Sequence, residues 1–111
     1  MNHSYVPDAG DIVWLSFNPQ KGHEQAGYRP ALVVSPRAYN SKTGLMLCCP
    51  ITTQIKGYPF EVLIAGNQKS VVLSDQVKSL DWTARQTVYK GKASQQELAD
   101  VKNKIAILIG T

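Results

Sequence analysis

The apolar positions of this chain fall into short, β-branched runs separated by turn residues, until a change of period near residue 94. Asp11 to Phe17 (DIVWLSF) follows the turn signal Pro7-Asp8-Ala9-Gly10 and reads as a strand buried on both sides. Asn18 to Gly27 (NPQKGHEQAG) has proline and glycine punctuation without an apolar period, which predicts a mobile surface loop. Pro30 to Ser35 (PALVVS) is strand-like again and is halted by Pro36. Leu45 to Ile51 (LMLCCPI) predicts a third strand, with Pro50 marking an edge or a bulge near its end. Phe60 to Ala65 alternates, and Val71 to Ser74, Val77 to Leu80 and Thr87 to Lys90 are further short strands. Six or seven such strands imply a small twisted barrel or two packed sheets. Beyond them Ser94-Gln95-Gln96-Glu97 has the form of a capping box, so a helix starts there. Leu98, Val101, Ile105 and Leu108 form one apolar stripe, widened by Ile109 and stopped at Gly110, which docks on the barrel or on a partner.

With 111 residues, 43% hydrophobic and 18% charged, the chain is expected to be one folded domain spanning residues 1–111. No apolar run reaches the roughly 20 residues of a membrane helix, and MNHSYVPDAG lacks the form of a signal peptide, so a soluble cytoplasmic protein is expected. Cys48 and Cys49 are adjacent, so in a strand they point to opposite faces and cannot staple distant segments. Together with His3 and His23 they show no metal-ligand spacing, and chemistry without a metal or other cofactor is expected. The net charge of +4 is a mild preference for anionic partners. Its placement says more, because Lys21, Arg29, Lys56 and Lys78 fall in or beside the predicted loops.

The candidate chemistry is concentrated in Gly22-His23-Glu24-Gln25-Ala26-Gly27-Tyr28-Arg29-Pro30. Arg29 stands where the chain re-enters a strand, with the fixed φ of Pro30 beside it, so its guanidinium projects from a rigid base. The plainer alternative is an exposed arginine paired with Glu24. Thr52-Thr53-Gln54-Ile55-Lys56-Gly57 puts hydroxyls at a strand end next to a basic loop, an arrangement that can hold a phosphate oxygen. Asp75 reads as a buried, turn-stabilising carboxylate, while Gln76 can face a ligand. Trp14 and Trp82 read as core residues, and Phe17, which opens the polar loop, is the better candidate for stacking on a base.

The strings GDIVWLSFNPQKGHEQAGYRPALVVSP, CPITTQIKGYPFEV and LSDQVKSLDW together resemble the MazF/PemK family of toxin ribonucleases, closest to its MazF branch. The ordered combination G-x-E-Q-x-G-x-R-P, P-x-T-T and D-Q-V carries the resemblance, which extends from about Gly10 through the terminal helix. It implies a mainly β fold with a C-terminal α-helix, a small SH3-like barrel of the CcdB/MazF type, and a symmetric homodimer. It also implies metal-independent cleavage of single-stranded mRNA at a short word, an ACA-like one among the candidates. That cleavage proceeds by 2′-hydroxyl attack and leaves 2′,3′-cyclic phosphate and 5′-hydroxyl ends. Such a toxin blocks translation and growth until an acidic, MazE-like antitoxin neutralises it. Carried over by position, the resemblance makes Arg29, Thr52 and Glu24 catalytic. RNA would then be bound by Phe17, Lys21, His23, Gln25, Thr53, Lys56, Gln76 and Lys78. For the general base, Glu24 and His23 both remain open. Two rival readings come from other classes. A non-catalytic gyrase poison of the same fold would end in Trp-Gly-Ile, whereas this chain ends ILIGT. A plain SH3-like binding module for nucleic acid or peptide would cleave nothing.

Overall fold

The computed structural model describes residues 5–19, 22–66 and 68–111. Seven antiparallel strands appear in the chain order β1 (Asp11–Ser16), β2 (Tyr28–Val33), β3 (Leu45–Thr52), β4 (Glu61–Ile64), β5 (Ser70–Leu73), β6 (Lys78–Asp81) and β7 (Val88–Lys92). Helix α1 (Arg37–Thr43) lies between β2 and β3, and α2 (Gln95–Ile109) ends the chain. The sheet runs β4-β5-β3-β2-β1-β7, with β6 also paired to β3. It is a curled half-barrel, mainly β with a C-terminal helix, as the sequence predicts.

The bend is built into β3. Leu45 to Cys48 pair with β6, whereas Ile51 and Thr52 pair with β5, so one strand serves two partners on the same side. Pro50 falls at the changeover. It faces Ala31 of β2 inside the sheet, which corrects its reading as an edge residue, and the missing N–H falls in the gap between β6 and β5.

Both faces of the central strands are packed. Val13, Leu15, Phe17, Ala31, Val33, Met46 and Cys48 form one cluster; Leu32, Cys49, Ile51, Val62, Ile64, Val72 and Val101 form the other, under α2. Cys48 and Cys49 therefore do point to opposite faces, and both thiols are free. Strand β1 differs from its expectation of two-sided burial, because Asp11, Val13 and Leu15 are buried while Ile12, Trp14 and Ser16 are only half-buried.

The strand ending at Pro36 leads into a helix that the apolar pattern does not announce. Its sequence RAYNSKT has no apolar stripe; Pro36 caps its start and Gly44, at φ 72°, its end. What holds α1 is Asn40, fully buried, whose Nδ2 donates to the carbonyls of Pro7 at 2.8 Å and Ser35 at 3.0 Å. Its Oδ1 accepts from the Ser35 hydroxyl at 2.6 Å, and its carbonyl accepts from Trp82 Nε1 at 3.0 Å. Trp82 itself is partly buried against the first cluster. In α2 the capping box forms as expected: Glu97 N donates to Ser94 Oγ at 3.1 Å and Ser94 N to Glu97 Oε1 at 2.8 Å. Val101, Leu98 and Ile105 pack on the sheet, but the expected stripe stops there, with Leu108 and Ile109 exposed.

Candidate active site

The two ends of the G-x-R-P and P-x-T-T strings meet through strand register. The β2–β3 ladder pairs Val33 with Cys48, Leu32 with Cys49 and Ala31 with Pro50. Two residues further along each strand, the same register sets Arg29 against Thr52, just where the ladder ends and the strands part. Both line a groove of about 530 Å³ whose wall continues through Gln25, Tyr28, Thr53, Gln54, Trp14 and Lys90. A second concavity of about 320 Å³ shares Gln25, Thr52 and Gln54 with it and extends to His23, Lys56 and Gln76.

Arg29 is half-buried. Its Nε donates to the Ala26 carbonyl at 2.8 Å, and its two terminal nitrogens have no hydrogen-bond or ion-pair partner among the described residues. Thr52 Oγ1 accepts from Gln54 N at 3.1 Å, which leaves its proton available to a ligand. Glu24 does not pair with Arg29. Instead its carboxylate meets Lys78 Nζ at 3.2 Å on the groove's shoulder, outside both concavities. The Gln25 amide donates to Gln76 Oε1 at 3.2 Å, so the polar loop is tethered at its described end to the 3-10 turn at Ser74–Gln76. Lys56 stands in the loop after β3, where the Glu61 carboxylate accepts from the amides of Lys56 at 3.1 Å and Gly57 at 2.9 Å. Lys21 lies outside the described residues.

Two readings are overturned. Phe17 is 2% exposed and sits in the first core cluster, because it continues the inward row of Val13 and Leu15. It cannot stack on a base. Asp75 is exposed on its turn and lines the second concavity, so it is not the buried carboxylate expected.

Comparison with known proteins decides the family. Residues 8–109 match the family profile described as PemK-like, MazF-like toxin of type II toxin-antitoxin system. The chain belongs to this family. It is 56% identical over 107 residues to the endoribonuclease toxin MazF of Escherichia coli K12, covering 96% of each chain. To the endoribonuclease toxin ChpB of the same strain it is 33% identical over 109 residues, covering 92% of this chain and 93% of that one. Among solved structures, MazF (Form-I) from Deinococcus radiodurans superposes with a TM-score of 0.93 at 52% identity, over 97% of this chain and all of that one. A MazE-MazF structure (Form-II) from the same organism gives 0.86 at 46% identity, over 97% and 99%.

In this member of the toxin family the groove also contains side chains that the sequence reading assigned elsewhere or passed over. Trp14, expected in the core, lies on the groove wall with its indole stacked on Tyr28, ring centroids 5.8 Å apart and planes 8° from parallel. The Lys90 ammonium sits 5.7 Å from the indole centroid. Lys90 was legible only as a strand residue. Even positions of β1 alternate with the core row, and that alternation is the signal that places Trp14 outside it.

Proposed function

We propose that the chain is an endoribonuclease toxin that cuts single-stranded RNA in this groove, at a short sequence word and without a metal. The observation that carries the reading is the meeting of Arg29 and Thr52 in one groove, with the terminal nitrogens of the guanidinium unengaged among the described residues. The 2′-oxygen attacks the adjacent phosphorus, the bond from phosphorus to the 5′-oxygen breaks, and a 2′,3′-cyclic phosphate and a 5′-hydroxyl result. Arg29 stabilises the charge that gathers on the phosphoryl oxygens, and the Thr52 hydroxyl aligns the same group. The proton leaving the 2′-hydroxyl goes to a base on the polar loop, and the departing 5′-oxygen takes a proton from water to become the 5′-hydroxyl. His23 lines the second concavity, which shares Thr52 with the groove, whereas Glu24 is held by Lys78 outside both and reaches them only if that pair opens. Thr53, Gln25, Gln76 and Lys56 line the path on either side of Thr52 and suit base edges and phosphates. Lys78 holds Glu24 at its margin.

Cleavage of mRNA by such a site stops translation and growth, and a MazE-like acidic antitoxin laid along the basic groove blocks it. A homodimer suits the apolar end of α2, where Ile107, Leu108 and Ile109 are exposed. A cytoplasmic location fits these partners; among the described residues no helix is long and apolar enough to cross a membrane.

The test is incubation with a long single-stranded RNA in EDTA. Fragments with a 5′-hydroxyl and a cyclic phosphate are expected. Intact RNA would refute the reading and leave the binding module, and inhibition of gyrase supercoiling with intact RNA would favour the gyrase poison.

A further inference from the structure

Three side chains from three neighbouring strands form a row along the groove wall. Strand β1 runs between β2 and β7, so Trp14 has Tyr28 on one side and Lys90 on the other. The position of Lys90 is not that of a regular strand. The pairing of β1 with β7 runs from Ile12–Gly91 directly to Val13–Tyr89, so Lys90 is the extra residue of a β-bulge. Bulges re-aim side chains. Here the lysine is brought over the indole and into the lining of the groove.

Tyr28 ends the row. One face of its ring lies on the indole, yet the residue is 49% exposed, so the open area is on the other face and the ring edge. Its hydroxyl donates to the Gln86 carbonyl at 3.0 Å, which fixes the ring in place. The result is a rigid, half-open aromatic plate on the wall of the cavity that also holds Arg29 and Thr52. A plate with one face free is what an unpaired base stacks on, and the cation behind its neighbour suits another phosphate of the same strand.

Resting on the RNA-cleaving reading above, we propose that Tyr28, backed by Trp14 and Lys90, is the stacking subsite for the unpaired base beside the cleaved phosphodiester. The row is a positioning and specificity-determining element. Only a base outside a helix can extend it, so duplex RNA is rejected here. A purine covers more of the phenol than a pyrimidine does, so the subsite favours a purine.

The test uses a short RNA spanning a mapped cleavage site, with a 2′-O-methyl group blocking the attacking oxygen and 2-aminopurine placed on one side of the bond or the other. Wild-type protein should quench the fluorophore at one of the two positions. Tyr28→Phe keeps the ring and should keep the quench. Tyr28→Ala should lose it and raise Kd roughly ten- to hundredfold, the scale of one base–aromatic stack. Lys90→Gln should reduce the slope of log Kd against log salt by about 0.7, one phosphate contact on a single strand. Wild-type affinity and quench in Tyr28→Ala would overturn the subsite while leaving RNA cleavage standing if the wild type still cuts the unblocked RNA. A wild type that neither binds nor cuts would overturn both.

Discussion

Replacing Arg29 by alanine separates what the side chain does for the fold from what it does for the chemistry. Among the described residues its one hydrogen bond to the protein runs from Nε to the Ala26 carbonyl, 2.8 Å long and half-exposed. A bond of that kind contributes about 1 kcal/mol. In a domain of this size, its loss lowers the melting temperature by roughly 4 °C. The chemical share is larger. Removing one charged donor from a group aimed at a developing oxyanion costs about 3 kcal/mol of transition-state stabilisation, which is roughly a hundredfold in rate. Arg29→Ala should therefore lose most of its cleavage while remaining folded. Arg29→Lys keeps the charge without the planar fork and should fall between alanine and wild type. The assay is single-turnover cleavage of a long single-stranded RNA in EDTA, resolved on gels, with thermal melting of the same samples by circular dichroism. A rate within about threefold of wild type, under 1 kcal/mol, would refute the catalytic assignment. A melting drop beyond about 10 °C would make the arginine a structural residue instead.

Thr52→Ala should lower kcat more than it raises KM, and Thr52→Ser should restore most of the loss; equal losses would assign the effect to the methyl group rather than the hydroxyl. Asn40→Ala strips the partners from three buried polar groups at once and should destabilise the fold by about 3 kcal/mol, measured by urea unfolding, with the cleavage rate per folded molecule unchanged. Asp11 gives a pH dependence. Burial pushes its carboxyl up, but hydrogen bonds from Lys92 Nζ at 2.8 Å, the Tyr5 hydroxyl at 2.6 Å and the Asp8 amide at 3.0 Å outweigh that, and the net value lies below the ordinary 3.8. A carboxyl lowered in the folded state stabilises above its ordinary value and ceases to as pH falls through the lower, folded one. The stability gap between wild type and Asp11→Asn should thus be level above about pH 5 and shrink below about pH 4, followed by denaturant melts.

Most of the strands and the whole of α2 were legible, because period-2 runs, a capping box and a stop glycine are local signals. The groove was harder to read for a physical reason. Its wall carries Ile12 and Trp14, as apolar as the core row of Val13 and Leu15, so β1 looks buried on both sides although one side faces the open groove. Phe17 shares the parity of that core row, and this alternation should have outweighed its place beside the polar loop. Helix α1 has no apolar stripe and rests on the tertiary hydrogen bonds of Asn40, which no local pattern encodes. The Glu24–Lys78 pair joins a loop to a distant strand and was likewise invisible. Arg29 was picked out by its rigid base, but its meeting with Thr52 depends on the β2–β3 register, and in the sequence only the family resemblance joined them.

The first strand of the sheet finds its outer neighbour in the last, since β1 pairs with β7 and the indole of Trp14 meets Lys90 only across that seam. A chain emerging from the ribosome can zip β1 to β2 early, but the groove draws on residues from Ile12 to Lys90 and has no complete wall until nearly all of them are free to fold. Such long-range closure is slow compared with hairpin formation. On the proposed RNA-cleaving reading, a copy that has not yet placed β7 has no complete groove to cut with. A copy truncated before β7 lacks Lys90 and one side of the Trp14 row, and so lacks the wall on which the proposed cleavage depends.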